Sequence, residues 1–427
     1  MRQSWIDAFL VYRDRRLAAI LAMGFLSGLP LALSGATLSF WLAQEGVSKT
    51  AIGLFALIAA PYTFKFLWAP MFDQIRPPGL SALGRRRGWL VVLQIAMAAA
   101  LLALGSSDPS VIPLWTAIAA FTVAFVSASQ DIVIDAYRID VLDEDEQGAG
   151  AAATQLGYRI GMLVSGAGAL ALSDLVSWFW VYAAMAGVTP LGLLIVLWSP
   201  RAGDAAQADG PLNPAARLRA AFIDPFADFM RHGGWAAILA FVLFYKFGDA
   251  IGGVMANPFY VDLGFTGTEV AAVTKLFGTL ATVIGIVAGG VLVARYGVIR
   301  ALVIGGILQA VTNLTFAWLA WTGKDVGLLA VAIGSDNFTG GLGSAAFVAY
   351  LSGLCNVKFS GTQYALLTSF MAFGRTVLSS GGGWLADQTD WVTFFVATTA
   401  LAGPGLLLLW FIARQDRRRA SRPVPTD

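Results

Sequence analysis

Reactive and metal-binding side chains are scarce in this chain of 427 residues. It has one cysteine, Cys355, and one histidine, His232. A single cysteine excludes a disulfide framework and a cysteine-ligated zinc or iron–sulfur site. A single histidine excludes a histidine metal cluster and argues against a histidine-dependent catalytic triad. We therefore expect no metal, no cofactor and no enzyme activity.

Charge is scarce as well. Only 13% of the residues are charged, 57% are hydrophobic, and the formal net charge is +2. A soluble domain carries about 25% charged residues. The composition therefore excludes a soluble globular domain, a disordered chain and a coiled coil. The nearly neutral balance also gives no reason to expect a nucleic-acid partner. A polytopic membrane protein remains.

Long apolar runs supply the fold class. A helix needs about 20 apolar residues to cross about 30 Å of hydrocarbon. The runs are continuous and do not alternate, which predicts helices rather than barrel strands. The first run is a full span, so no cleavable signal peptide is expected. We predict an all-α membrane protein with twelve transmembrane helices, at 17–42, 50–73, 88–107, 111–137, 148–173, 176–198, 235–262, 268–294, 298–321, 325–354, 362–387 and 391–413.

Basic residues orient these spans. If the N-terminus is cytoplasmic, the outside loops hold only Lys49 and Lys324, and the other arginines and lysines between spans lie inside. Such a bias is the positive-inside pattern of membrane proteins. We predict that both termini are cytoplasmic.

The two halves of the chain resemble each other at constant offsets. The residue 213 positions later is of the same type for Tyr137, Gly148, Gly161, Gly168, Asp174 and Trp178. The residue 218 positions later is of the same type for Gly46 and Thr50. We predict two six-helix bundles, 1–198 and 235–414, a cytoplasmic linker at 199–234 and a basic tail at 415–427. Two equivalent bundles are typical of alternating-access transporters, which bind substrate between them.

Ionisable residues inside the predicted spans are functional candidates. A charge at membrane depth costs about 2.5–3.5 kcal/mol unless it faces protein or water. The spans hold Lys65, Asp131, Asp135, Arg159, Lys246, Asp249, Lys275, Asp336 and Arg375. These are five cations and four carboxylates, so protonation of one carboxylate would favour an anionic substrate.

Two carboxylates in the fourth span are candidates for proton coupling. Asp131 and Asp135 are four residues apart, and Arg138 follows on the same helix face. Stacked carboxylates raise each other's proton affinity. Asp249 in the seventh span is a third candidate, although Lys246 and Asp249 also suit a self-neutralising pair. Asp135 and Arg138 alternatively form a cytoplasmic gate or a helix-end network.

Arg159 is the leading candidate for substrate binding. A guanidinium near the bilayer centre can bind a substrate carboxylate through two parallel hydrogen bonds. The alternative is a salt bridge from Arg159 to Asp131 or Asp135 that holds the bundle closed. Further candidates for the substrate site are amide, aromatic and charged side chains in the spans: Gln155, Tyr158, Tyr62, Lys246, Arg375 and Asp336.

Two loops resemble the signature G-x-L-x-D-R-x-G-R-K of the major facilitator superfamily. One contains Arg295 within 290–300, and the other contains Asp73 followed by 84–87. In that superfamily the basic residues latch the cytoplasmic side against helix ends and carboxylates. The resemblance therefore implies gating roles for Asp73, Arg85, Arg86 and Arg295. Arg138, on the same helix face as Asp135, is a further gating candidate. Ala294 replaces the acidic position of the second copy. The alternative is that these arginines only set the topology.

Three runs, 24–35, 61–70 and 129–138, resemble the AmpG-type muropeptide permeases of this superfamily. The resemblance implies a proton-driven importer of N-acetylglucosaminyl-1,6-anhydro-N-acetylmuramyl peptides in the bacterial inner membrane. It also implies a role in peptidoglycan recycling and β-lactamase induction. The group's motifs fall on Gln130, Asp131, Asp135 and Lys65. The expected partners are the muropeptide, protons and membrane lipids, and we expect a monomer.

Two other functions stay open at this stage. One is transport of another anionic solute, such as a glycan, a peptide or an acetyl-CoA-like molecule. The other is a membrane-embedded enzyme or signalling protein, which requires a catalytic constellation or a soluble effector domain. The sequence shows no P-loop and no histidine cluster that would favour it.

Overall fold

A computed structural model describes residues 14–47, 55–202, 219, 223–231, 233–379 and 382–420. These ranges contain helices and turns and no strand. His232 lies outside these ranges. Lys275 and Arg375 lie within them, but their side chains are not described. The prediction that Arg375 binds substrate therefore falls on a side chain outside the described residues.

The described residues of the first half of the chain form ten α-helices. They are α1 Arg15–Ser34, α2 Ala36–Gln44, α3 Ala60–Phe64, α4 Ala69–Gln74, α5 Arg85–Gly105, α6 Pro113–Val141, α7 Gln147–Leu163, α8 Ala169–Ser173, α9 Trp178–Ala186 and α10 Thr189–Trp198. A π-helical turn, Val164–Gly168, joins α7 to α8. Thr37 of α2 donates a 2.9 Å hydrogen bond to the carbonyl of Ser165 in this turn, where the regular helix pattern is interrupted.

The described residues after 202 form eleven more α-helices. They are α11 Asp224–Met230, α12 Trp235–Phe244, α13 Phe247–Asp262, α14 Gly267–Val273, α15 Thr279–Tyr296, α16 Val298–Thr322, α17 Val326–Gly353, α18 Ser360–Ser379, α19 Gly382–Gln388, α20 Trp391–Leu401 and α21 Gly403–Ala420. A second π-helical turn, Thr274–Gly278, joins α14 to α15.

Most of the predicted spans correspond to long apolar helices. Nine stretches of the described residues are long and apolar enough to cross a membrane. They are Arg15–Leu42, Arg85–Gly105, Pro113–Val141, Glu144–Ser173, Trp178–Trp198, Trp235–Asp262, Thr279–Tyr296, Val298–Thr322 and Trp391–Arg414. A tenth candidate is the pair Val326–Gly353 and Val357–Gly374, which is bent by 102°. This all-helical pattern confirms the predicted polytopic membrane fold.

The described part of the predicted second span 50–73, residues 55–73, is a series of short helical segments rather than one helix. It consists of a 3-10 turn Ala56–Ala59, α3, a 3-10 turn Lys65–Leu67 and α4. Pro61 and Pro70 stand at the starts of α3 and α4. Proline has no amide hydrogen and is tolerated in the first turn of a helix. These prolines therefore divide the run into separate helical segments.

The chain divides into two compact units. Unit N comprises residues 9–227 and 351–369, and unit C comprises 1–8, 228–350 and 370–427. The segment 351–369, from the second half of the sequence, thus packs within unit N. The predicted division into bundles at 1–198 and 235–414, with a linker and a tail, stays a prediction.

Within unit N, glycines bring α1 and α7 into close contact. A Cβ added to Gly28 would lie 2.1 Å from the carbonyl oxygen of Tyr158, and one added to Gly157 would lie 1.9 Å from that of Leu21. Gly24 and Gly161 meet the facing backbone in the same way. Small residues at such spacings let membrane helices approach backbone to backbone. This packing fixes the position of Tyr158 beside α1.

The internal repeat has a counterpart in the hydrogen bonds of each unit. In unit N, Trp178 Nε1 donates to Gln44 Oε1 at 3.0 Å. In unit C, Trp391 Nε1 donates to Asp262 Oδ2 at 3.0 Å. The two tryptophans are separated by the offset of 213, and the two acceptors by the offset of 218. The same tie between helix ends therefore occurs in both halves, which supports the predicted repeat.

Candidate functional site

Asp73, at the end of α4, binds the start of α18. Its carboxylate accepts hydrogen bonds from the backbone amides of Gly361 at 3.3 Å and Thr362 at 2.7 Å, and from the Thr362 hydroxyl at 2.6 Å. It also forms a 2.8 Å salt bridge with Arg86. The first amides of a helix have no partner within the helix and carry partial positive charge, so a carboxylate there is stabilised.

Arg86, in the first turn of α5, joins two carboxylates. Its Nη1 meets Asp73, and its Nε donates to Asp140 Oδ2 at 2.8 Å. Its Nη2 donates to Ser360 Oγ at 2.8 Å, and that hydroxyl donates to Asp140 Oδ1 at 2.6 Å. The side chains of Asp73, Arg86 and Asp140 are at most 3% exposed. We call Asp73, Arg86, Asp140, Ser360 and Thr362 the charged network.

Arg85 and Arg138 flank the charged network. Arg85 Nη1 donates to the backbone carbonyl of Asp73 at 2.6 Å. Arg138 is fully buried in α6, donates to Ser352 Oγ at 2.8 Å and lies 3.4 Å from Asp135. Its guanidinium also stands 5.1 Å from the centre of the Tyr364 ring. Arg138 therefore contacts the segment 351–369 directly, whereas the hydrogen bond from Arg85 supports Asp73.

Cys355 lies in the turn between α17 and α18, next to this network. Its thiol donates to the carbonyl of Leu351 at 3.2 Å. Burial raises the pKa of the Cys355 thiol well above its usual range. The thiolate is the reactive form of cysteine, so this raised pKa lowers the reactivity of the half-buried thiol.

A second polar cluster lies deeper in unit N, around α1 and α6. Ser27 Oγ donates to Asp131 Oδ1 at 2.5 Å. Lys65 and Asp135 are the charged neighbours of Asp131. Gln130, beside Asp131, is 1% exposed, and its amide oxygen and nitrogen have no hydrogen-bond partner among the described residues. A buried amide is costly unless it is hydrogen-bonded, so Gln130 is suited to a ligand or water.

The α7 candidates face the same region or stand exposed beside it. Tyr158 is half-buried and lies within electrostatic range of Asp131, as Tyr62 does. Gln155 is half-buried. Arg159 is exposed and has no ion pair with any described residue. The alternative of a salt bridge from Arg159 to Asp131 or Asp135 is therefore absent from the described part of the chain.

Unit C holds a third polar cluster. Lys246 Nζ donates to Ser344 Oγ. Asp249 and Asp336 are both half-buried and lie near Lys246. The pairing of Lys246 with Asp249 stays a prediction. Arg295 is also in unit C, where its guanidinium lies 5.7 Å from the Tyr296 ring centre.

The structure brings together most of the predicted gating residues. Asp73, Arg85, Arg86 and Arg138 lie in unit N within one group, while Arg295 belongs to unit C. Their gating roles stay predictions. Sequence reasoning missed Ser27 and four partners from distant parts of the chain: Asp140, Ser352, Ser360 and Thr362. Only Asp140 had a signal, since it is a carboxylate two residues after Arg138.

Comparison with known proteins decides the family. The model of the Major Facilitator Superfamily matches residues 20–333 and 239–427. The anhydromuropeptide permease of Escherichia coli K12 is 41% identical over 408 residues, covering 95% of this chain and 81% of the relative. The putative transporter AmpG 4 of Rickettsia felis is 34% identical over 407 residues, covering 95% of this chain and 98% of the relative.

The chain belongs to the major facilitator superfamily. Within this superfamily its resemblance to the AmpG-type permeases is confirmed by these relatives. The solved structure of the major facilitator transporter FucP in its outward conformation gives a TM-score of 0.68 at 14% identity. The match covers 92% of this chain and 98% of FucP, which supports the fold alone. This major facilitator protein is thus a multi-pass membrane transporter and not an enzyme.

Proposed function

We propose that this transporter imports anhydro-muropeptides across the inner membrane, driven by the proton gradient, for peptidoglycan recycling. The observation that carries the proposal is the 41% identity, over 95% of the chain, to a relative named anhydromuropeptide permease. The same group is associated with β-lactamase induction, which we extend to this chain as part of the proposal.

The deeper polar cluster of unit N supplies the chemistry for the substrate. Muropeptides carry peptide carboxylates and sugar amides. Arg159 can bind a carboxylate through two hydrogen bonds, and Gln130 can both donate to and accept from an amide. Gln155, Tyr158 and Tyr62 add polar groups and ring faces around it. In unit C, we propose the same role for Lys246, Asp336 and Arg375.

Proton coupling in this proposal centres on Asp131. Its charged neighbours are Lys65 and Asp135, and Ser27 donates a hydrogen bond to its carboxylate at 2.5 Å. A carboxylate can gain or lose a proton when a charged or hydrogen-bonding neighbour moves. Asp135, and Asp249 in unit C, are the further coupling candidates.

The charged network provides a latch for alternating access. In this structure all of its hydrogen bonds are formed, and Asp73 holds the start of α18. Opening this side requires Asp73 to release the α18 amides while Arg86 keeps Asp140 as a partner. We propose that this latch closes the cytoplasmic side, with both termini also cytoplasmic, in a monomer that needs no cofactor. Arg295 would contribute to the corresponding end of unit C.

Uptake by purified protein in liposomes tests the proposal. We expect radiolabelled N-acetylglucosaminyl-anhydro-N-acetylmuramyl tripeptide to accumulate when an inward proton gradient is imposed, and not when a protonophore is added. Accumulation that does not depend on the proton gradient would refute proton coupling but not the assignment of the substrate. If the muropeptide is not taken up but another anionic solute is, such as a peptide or an acetyl-CoA-like molecule, the proposed substrate is wrong.

A further inference from the structure

A cluster of three arginines in unit N lies where three membrane spans end. Arg15 begins α1, Arg87 lies in the first turn of α5, and Arg201 follows the end of α10. The spans Arg15–Leu42, Arg85–Gly105 and Trp178–Trp198 all have an end at this point. We therefore expect the three guanidinium groups to lie at the depth of the lipid headgroups.

The backbone holds these arginines in place. Arg87 Nε donates to the carbonyl of Val196 at 3.0 Å, and its Nη2 donates to Leu197 at 2.7 Å. Arg15 donates to the carbonyl of Trp198, and its guanidinium stands 5.0 Å from the Trp198 ring centre. The last carbonyls of a helix have no partner within the helix and carry partial negative charge, so they attract these cations.

Arg201 completes the cluster from the other side of the same helix end. Its Nη2 donates to the carbonyl of Ala82 at 2.7 Å. Beside it, Tyr137 donates from its hydroxyl to the carbonyl of Pro200 at 2.8 Å. The chain that leaves α10 is thus tied down at several points, so the position of Arg201 relative to Arg87 is defined.

The cluster has an excess of positive charge. Arg15 and Arg201 both act on Arg87 as like charges. None of the three has a carboxylate partner among the residues that the structure describes. By contrast, Arg16 binds Asp14 at 2.8 Å and Glu146 at 2.5 Å. A guanidinium has five N–H donors, so each arginine of the cluster keeps donors for an anion.

The surface beside the cluster is apolar. Leu191, Leu194 and Leu197 are exposed and recur every three residues along α10, and Trp198 is exposed at its end. Tryptophan is enriched at membrane–water interfaces, and exposed leucines in a spanning helix face acyl chains. A headgroup bound by the arginines would therefore have its acyl chains along this leucine row.

We propose that Arg15, Arg87 and Arg201, with Trp198 and the leucine row of α10, form a binding site for an anionic phospholipid. The ligand is a phosphate attached to acyl chains. The arginines alone would accept a free phosphate, but the leucine row beside them is suited only to acyl chains. Basic pockets between spanning helices bind lipid phosphates in this way. The site is independent of the substrate site and of the latch.

Lipid binding to matched charge variants tests the site. Native mass spectrometry of the detergent-purified protein, titrated with dioleoyl phosphatidylglycerol or dioleoyl phosphatidylcholine, measures the affinity for each lipid. The double variant Arg15→Gln/Arg201→Gln should bind phosphatidylglycerol about thirty-fold more weakly, from the usual contribution of an arginine at an anionic surface. Arg87 is retained because it makes two backbone hydrogen bonds.

The matched control is Arg300→Gln/Arg414→Gln in unit C. It removes the same charge from two exposed arginines, and Arg414 also lies over a tryptophan, 5.2 Å from the Trp410 ring centre. We expect the control to bind phosphatidylglycerol as the unmodified protein does. Equal weakening in both double variants, or in neither, would overturn the proposal.

Two further measurements keep the test decisive. Arg201→Gln alone, which loses one hydrogen bond to a loop, should still weaken phosphatidylglycerol binding if the double variant does not fold. Inorganic phosphate should not raise the unfolding temperature as phosphatidylglycerol does. If inorganic phosphate raises the unfolding temperature as much as phosphatidylglycerol does, the ligand is a free phosphate and the lipid assignment is wrong.

Discussion

Replacement of Asp73 by asparagine tests the latch at its centre. The carboxylate is fully buried and serves four donors, three of them at the start of α18 and one on Arg86. Removing one partner of a buried ion pair costs about 3–5 kcal/mol. Asparagine keeps the shape and one acceptor oxygen, and Arg86 keeps Asp140. We therefore expect a loss near the lower limit, about 3 kcal/mol, and about a hundredfold larger open population.

Cys355 makes this opening measurable without any engineered label. It is the only cysteine of the chain and lies in the turn that precedes α18. Because burial raises the pKa of its thiol, opening of the turn increases both exposure and the thiolate fraction. The rate of alkylation by N-ethylmaleimide should therefore rise steeply in Asp73→Asn, toward the hundredfold limit.

Asp108→Asn is the matched control for this experiment. Asp108 is an exposed carboxylate between α5 and α6 that accepts hydrogen bonds from Ser110 and Val111. The same chemical change there should leave the alkylation rate of Cys355 unchanged. An alkylation rate in Asp73→Asn equal to that of the control, with the size-exclusion profile intact, would refute the latch.

Three other substitutions test separate parts of the molecule. Asp131→Asn should reduce gradient-driven uptake more than tenfold while substrate exchange without a gradient continues; unchanged accumulation would remove Asp131 from coupling. Arg159→Ala should weaken binding of the peptide-bearing substrate at least about tenfold, from a lost charged hydrogen bond, but spare the bare disaccharide; equal losses would indicate a structural role. Gly28→Ala places a Cβ 2.1 Å from the Tyr158 carbonyl oxygen and should cost about 1–3 kcal/mol, seen as a lower unfolding temperature. Gly168→Ala, with nothing within 4 Å, should not lower it, and an equal fall in both would refute the close packing.

The sequence predicted those parts of the fold that depend on local composition. Apolar length and continuity were enough to place most of the spans, since a membrane helix must satisfy its backbone internally. The run at 50–73 was different, because Pro61 and Pro70 indicate breaks but not how far each helical segment extends. That extent depends on packing, as in the 3.0 Å hydrogen bond from Trp68 to Ser129 of α6.

The contacts of the candidate site were harder to predict than the spans, because they join residues that are far apart in the sequence. The loop signature identified Asp73 and Arg86, since clustered charge near a span end is visible in one stretch of sequence. Their partners Ser360 and Thr362 are ordinary hydroxyl residues nearly three hundred positions away, and no local pattern distinguishes them. For Arg159, the sequence favoured a substrate role but was also compatible with a salt bridge. The described structure lacks that salt bridge, so the substrate role is the one that now merits testing.

The paired tryptophan hydrogen bonds also bear on how the two halves have diverged. One end of each half keeps the same tie, with only the acceptor exchanged between the amide of Gln44 and the carboxylate of Asp262. At the loop signatures the halves have separated much further, since Asp73 has a dense set of partners while Ala294 stands where the signature has an acid. One helix-end tie is thus common to both halves and the loop signature is not, so we expect a chimera in which one half replaces the other to lose the proposed latch before it loses its fold.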